Sequence, residues 1–142
     1  MSEIWFASDH HFFHDLLMIL RKFPTIKTMH STIIRRHNEL VKPEDTVYFL
    51  GDFTIKSYPF MDPLKVMLNK MNGTKHLIFG NHEYFKWHHY IDMGFTSVHS
   101  SLEVEEFILV HDPSASIILP DRQWLCGHVH DLFLQCNITL SG

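Results

Sequence analysis

Short runs of apolar residues alternate along the chain with longer segments in which apolar residues recur every three or four positions. The short runs predict β-strands, and the longer segments predict helices that bury one face. The predicted strands are residues 4–8, 47–50, 77–79, 96–99, 102–104, 107–110, 124–126 and 133–140. The predicted helices are residues 15–23, 30–41, 62–71 and 83–93.

Several predicted helix ends carry residues with known end preferences. Ser31 is a candidate N-cap, Pro63 suits the first turn of its helix, and Gly94 ends the last helix. Strands and helices alternate in the first half, whereas the second half is rich in strands. This order predicts a layered α/β domain. A length of 142 residues with 45% hydrophobic residues predicts one domain, residues 1–142.

Five of the predicted strands lead directly into residues that bind metals in proteins. Ligands of open α/β sheets lie outside the carboxyl ends of the strands, so residues far apart in the sequence are expected to converge there. The candidate metal ligands, in chain order, are Asp9, His11, Asp52, Asn81, His111, His128 and His130. The pattern therefore predicts a metal centre.

The types and spacing of these residues indicate which ions they suit. Asp9 and His11 are two positions apart, as are His128 and His130, so each pair points to one side of an extended segment. Gly51 allows a tight turn that brings Asp52 close to the site. Imidazole, carboxylate and amide ligands suit Mn, Fe, Zn, Co or Ni better than Ca.

Seven ligands are too many for one ion, and two ions roughly 3.5 to 4 Å apart that share Asp52 would use them well. Two divalent cations against the carboxylates of Asp9 and Asp52 leave a surplus of about two positive charges. That surplus would attract phosphate.

The charge and hydrophobicity of the chain limit which binding partners and which cellular compartment are expected. The formal net charge of −4 does not indicate a large surface for duplex nucleic acid, although a short nucleic-acid end stays open as a substrate. No apolar stretch approaches the roughly 20 residues of a transmembrane helix, and the pattern of the first residues does not predict a secretory signal. A cytoplasmic protein with no membrane partner is expected.

The ordered blocks resemble the signature of the calcineurin-like metallophosphoesterase family across nearly the whole chain. The matching segments are Asp9-His10-His11, Gly51-Asp52, Gly80-Asn81-His82-Glu83, His111 and Gly127-His128-Val129-His130. Residues 9–14, 38–53 and 72–83 are also similar to the short bacterial and phage branch of that family. The resemblance implies an α-β-β-α sandwich of two mixed sheets flanked by helices, and a length of 142 residues leaves little room for a cap domain.

The resemblance also implies roles for the residues. One ion would be held by Asp9, His11 and His130, the other by Asn81, His111 and His128, and Asp52 would bridge both. Metal-bound hydroxide would attack phosphorus in line, and His82, oriented by Glu83, would protonate the leaving oxygen. Manganese is the first metal to expect, with Fe, Zn, Ni or Co as alternatives.

The expected function is a phosphodiesterase acting on nucleotide-type or other small phosphorylated molecules. Two alternatives stay open: a nuclease acting on DNA or RNA ends, and a non-catalytic interaction module on the same fold. His14, three residues beyond His11, is a hypothetical phosphate contact or assistant to His82, and its alternative is a surface histidine at a helix start.

Overall fold

The computed structural model describes residues 2–56, 59–80, 83, 85–114 and 121–127. Its elements alternate between strands and helices in the first half, as the sequence pattern predicts. In chain order they are β1 (Ile4–Ala7), α1 (Asp15–Leu20), α2 (Ile26–Leu40), β2 (Thr46–Phe49), α3 (Met61–Asn69), β3 (Thr74–Ile78), α4 (Trp87–Met93), β4 (Ser97–His99), β5 (Leu102–Val104), β6 (Phe107–Leu109) and β7 (Gln123–Leu125).

The first sheet contains four strands in the order β1-β2-β3-β4, and every neighbouring pair is parallel. Parallel neighbours need a crossover connection, and helices occupy each of these connections. The sheet is therefore wholly parallel rather than mixed. All four strands point the same way, so their carboxyl ends lie along one edge.

The second sheet is mixed and has the order β5-β6-β7. Strands β5 and β6 are antiparallel, and the short turn between them includes Glu105 with a φ of 55°. Strands β6 and β7 are parallel, so their carboxyl ends lie on the same side.

Two buried clusters hold the layers together. The larger cluster joins the first sheet to its helices, with Leu64 and Leu68 of α3 and Tyr90 and Met93 of α4 among its buried members. The second cluster joins the two sheets through Leu50, Ile78, Val104 and Leu109. The protein is thus an α/β sandwich in which two sheets stack and helices cover the first. None of the helices within the described ranges has the length and apolar character needed to cross a membrane.

Two helix starts differ from the sequence predictions. Helix α2 begins at Ile26 rather than near residue 30, because the Thr25 side chain caps it by accepting from the Thr28 N–H at 3.0 Å. Ser31, the predicted cap, lies inside the helix, where its hydroxyl donates to the Thr28 carbonyl.

Helix α4 begins at Trp87 rather than residue 83, and it ends at Gly94 as predicted. The predicted strand at residues 133–140 lies outside the described residues.

Candidate metal centre

Four of the predicted ligands meet where strands of both sheets end. Asp9 and His11 follow β1, Asp52 follows β2, and His111 follows β6. Asp52 is 1% exposed, His11 2% and His111 4%. The predicted convergence at the carboxyl ends of the strands is confirmed for these four residues.

The donor atoms of these side chains lie close together around Asp52. His11 Nε2 lies 3.6 Å from Asp52 Oδ2 and 3.7 Å from Asp9 Oδ1. His111 Nε2 approaches Asp52 Oδ2 to 3.2 Å. Asp9, Asp52 and His111 each offer a ligand atom within 4.8 Å of the others, so these three side chains could hold one metal ion.

A backbone carbonyl sets the orientation of the His111 ring. Nδ1 lies 2.7 Å from the Leu50 oxygen, which only accepts, so Nδ1 must carry the donated proton. This tautomer directs Nε2 at Asp52, and it is the arrangement in which histidine usually binds metals. Burial lowers the pKa of His111, but hydrogen bonds to Asp52 and Leu50 and the nearby carboxylate charges raise it, and the net shift is upward. The site thus favours positive charge.

The backbone at the ligands adopts an uncommon conformation. Asp9, His11 and Asp52 have φ values of 56°, 52° and 53°. This left-handed region costs an ordinary L-residue roughly 1–2 kcal/mol. Such outliers cluster at functional sites, where surrounding contacts hold them. Gly51 precedes Asp52 with a φ of 93°, which confirms the predicted tight turn.

Backbone hydrogen bonds join the two ligand-bearing loops side by side. The Asp9 N–H donates to Gly51 O at 3.1 Å, and the His11 N–H donates to Asp52 O at 3.0 Å. The Ser8 hydroxyl adds a bond of 2.6 Å to Asp9 Oδ2. Nothing in the sequence pattern singled out Ser8, because a serine at the end of an apolar run is an ordinary strand end.

Glu83 connects the loop after β2 with the end of β3. Its carboxylate accepts from the Phe53 N–H at 2.8 Å and from the N–H groups of Asp52 and Gly80. Burial, with a smaller contribution from the Asp52 charge, raises the pKa of Glu83 to about 7, although the three backbone donors act in the opposite direction. These bonds explain why residue 83 does not start a helix. Its expected role in orienting His82 stays a prediction.

His14 lies beside the candidate ligands and also caps α1. Its Nδ1 lies 3.4 Å from the Leu17 N, and its ring meets the His11 ring edge-on with centroids 5.3 Å apart. His14 therefore lies at a helix start, as its alternative interpretation predicts, and beside the candidate ligand His11. Contact with phosphate stays a hypothesis.

Two buried histidines, His10 and His30, pack within or beside the loop after β1 that carries Asp9 and His11. His10 packs against Phe49, and burial is the main cause that lowers its pKa to about 3. His30 Nε2 accepts from the Phe13 N–H at 2.8 Å, and burial lowers the pKa of His30 to about 4. Both rings are therefore neutral at pH 7.

The other predicted site residues, Asn81, His82, His128 and His130, lie outside the described residues. Their chain neighbours Gly80 and Gly127 lie at the centre. The Gly80 N–H binds Glu83, and the Gly127 N–H donates to His111 O at 3.0 Å. A Cβ at Gly127 would lie 2.6 Å from Asp9 Oδ2, so a side chain there would displace the Asp9 carboxylate or the Ser8 hydroxyl.

The fold and the site together define an α/β sandwich with a candidate metal centre at the carboxyl ends of its strands. A crystal structure of AQ665 from Aquifex aeolicus, a protein of unknown function, has a TM-score of 0.72 to this chain. That similarity covers 97% of this chain and 85% of the other at 23% sequence identity. It supports the fold alone.

The sequence comparisons extend this result to a family. No model of a known protein family matches the chain. The uncharacterized protein MJ1445 of Methanocaldococcus jannaschii is 32% identical over 135 residues, which cover 92% of this chain and 70% of that protein. The chain therefore belongs to the same family as MJ1445. The Gene 66 protein of Mycobacterium phage L5 is 33% identical over 84 residues, covering 58% of this chain and 41% of that protein.

Proposed function

We propose that the chain is a metal-dependent phosphoesterase that hydrolyses phosphodiesters of nucleotides or other small molecules. The observation that carries the proposal is the meeting of Asp9, His11, Asp52 and His111. The imidazoles of His11 and His111 lie 3.6 and 3.2 Å from the Asp52 carboxylate, and His11 lies 3.7 Å from Asp9. Packing alone explains this set poorly, because two neighbouring carboxylates repel each other unless a cation or proton lies between them.

The donor set fits the metals named from the sequence. Imidazole and carboxylate ligands suit Mn, Fe, Zn, Ni and Co. Manganese is the first of these ions to test. One ion would use Asp9, His11 and His130, the other Asn81, His111 and His128, and both would share Asp52. When bound, the ions would supply positive charge for the phosphate and an activated water for attack on phosphorus.

The chain's own residues would prepare this site in three ways. The Leu50 carbonyl holds a proton on His111 Nδ1, so the neutral imidazole would present the lone pair of Nε2 to an ion. Ser8 holds the Asp9 carboxylate by its hydroxyl. His82 would donate a proton to the leaving oxygen, as the resemblance implies, and a diester substrate is likewise part of that analogy.

The test measures metal and turnover on the purified protein. Bound metal is determined by mass spectrometry, and bis-p-nitrophenyl phosphate and p-nitrophenyl phosphate are assayed with Mn²⁺ and with the other candidate ions. Asp52→Asn should abolish metal binding and turnover because it removes the shared charge. Asp92→Asn, an exposed carboxylate change on α4, is the matched control and should leave both unchanged.

The outcomes separate the alternatives. Turnover of the diester that depends on Asp52 supports the proposal. Hydrolysis of DNA or RNA ends with no turnover of small diesters would favour the nuclease. Metal binding without turnover under every ion tested would favour an interaction module, and no metal binding at all would overturn the proposed centre.

A further inference from the structure

Arg21 contacts the backbone that carries two of the candidate ligands. It lies directly after α1, and its side chain reaches back across the chain to the loop that follows β1. Its Nη2 donates to the Asp9 carbonyl at 2.6 Å, and its Nη1 donates to the His10 carbonyl at 2.9 Å. One planar guanidinium group therefore binds two consecutive carbonyls.

Those two carbonyls belong to a loop with an unusual backbone. Positive φ values occur at alternate residues, 56° at Asp9, 52° at His11 and 63° at Phe13. Residues in this region need external contacts to stay there. One side of the loop is held by the backbone after β2, where the His11 and Phe12 N–H groups donate at 3.0 and 2.9 Å. Arg21 holds the carbonyls of the loop.

We infer that Arg21 is a positioning residue for the metal centre. By fixing the Asp9 and His10 carbonyls, it keeps the side chains of Asp9 and His11 directed at Asp52. The inference rests on the proposed metal site. Arginine suits this task better than lysine, because its fork of donors binds two acceptors at once with fixed geometry.

The expected effect is on metal affinity. Removing groups that orient metal ligands typically weakens metal binding by about 10- to 100-fold. Arg21→Ala should therefore weaken Mn²⁺ binding in calorimetric titrations by that range. Arg21→Lys keeps the charge but loses the fork, so it should fall between the wild type and Arg21→Ala, and it supplies a folded variant if Arg21→Ala does not fold.

Two controls distinguish positioning from a general loss of stability or charge. Arg35→Ala removes an exposed arginine that pairs with Glu39 across the α2 surface, and it should bind Mn²⁺ as the wild type does. Arg21 also lines a cavity of about 720 Å³. In Arg21→Ala this cavity would admit a small cation to the position that the guanidinium group of Arg21 occupies in the wild type. Guanidinium ion, added well below denaturing concentrations, should therefore restore Mn²⁺ affinity to Arg21→Ala but not to Asp52→Asn.

Amide hydrogen exchange without metal tests Arg21 independently of the metal proposal. In Arg21→Lys the His11 and Phe12 amides should exchange faster, while the amides of β2 and β3 keep their wild-type rates. If the wild type binds no metal, the proposed function fails, and these exchange rates still decide whether Arg21 holds the loop. Unchanged exchange at His11 and Phe12, or unchanged Mn²⁺ affinity in a metal-binding protein, would overturn the inference.

Discussion

Replacing Glu83 by glutamine should loosen the connection between two ligand-bearing segments. Oε1 of Glu83 accepts from the Phe53 N–H at 2.8 Å, and Oε2 accepts from the Gly80 N–H. Glutamine has nearly the same shape but offers only one accepting oxygen. Whichever way its amide is turned, one backbone N–H then faces an NH₂ group.

The magnitude follows from this lost acceptor. A buried donor left without a partner costs about 1–3 kcal/mol. For a chain of 142 residues, 1 kcal/mol corresponds to roughly 3 °C in Tm, so a fall of about 3–9 °C is expected. The Asp52 loop should also shift away from Gly80, and Mn²⁺ affinity should fall about 10-fold or more.

The assay compares thermal melts and Mn²⁺ titrations of the wild type, Glu83→Gln and Glu106→Gln. It is run well above the Glu83 pKa of about 7, so that the carboxylate is ionised. Glu106 is exposed in the turn after β5, so its variant controls for the loss of one charge.

Two results would contradict this reasoning in different ways. If Glu83→Gln has the same Tm as Glu106→Gln and binds Mn²⁺ as tightly as the wild type, the Glu83 carboxylate does not join the two segments. If only turnover of a substrate with a poor leaving group falls, Glu83 acts on His82 alone, as the family resemblance implies.

Three further predictions concern residues around the centre. Gly127→Ala should weaken Mn²⁺ binding in titrations, because the new methyl group overlaps Ser8 and displaces Asp9; an unchanged affinity would contradict the close packing. His14→Asn should keep the α1 cap, since asparagine is a good N-cap, but should lower turnover if the ring contacts phosphate; equal turnover in the wild type, His14→Asn and His14→Ala would end that hypothesis. The pKa of His30 drops from 6.5 unfolded to about 4 folded, so its contribution to stability is present above pH 6.5 and is lost as pH falls to 4. By linkage this loss is at most about 3 kcal/mol. In urea unfolding, the free energy of unfolding of His30→Gln should therefore fall less steeply than that of the wild type between pH 6.5 and pH 4.

Much of the candidate site follows from local pattern. Asp9 with His11, and Gly51 with Asp52, are recognisable because each pair directly follows an apolar run, and a run that ends in ligands marks the carboxyl end of a strand. The alternation of runs and amphipathic segments likewise indicates parallel strands joined by helices. Neither step requires knowledge of long-range contacts.

The incorrect helix starts show where local pattern is insufficient. Thr25 and Ser31 are both acceptable N-caps by type, and the helix begins at whichever one has its oxygen next to N–H groups that need a partner. At Glu83 the competing partner is the Phe53 N–H, thirty positions away in the sequence. A prediction based on neighbouring residues cannot include that bond.

The sequence by itself determined the order of the elements, the types of ligand and the sheet edge at which they meet. Only the tertiary structure decided which groups hold those ligands: the Leu50 carbonyl sets the His111 tautomer, the Glu83 carboxylate joins two loops, and the Arg21 guanidinium binds the carbonyls of a third segment. The physical reason is that periodicity and end preferences act between neighbours, whereas these hydrogen bonds form between groups that are distant in the sequence and that only folding brings together.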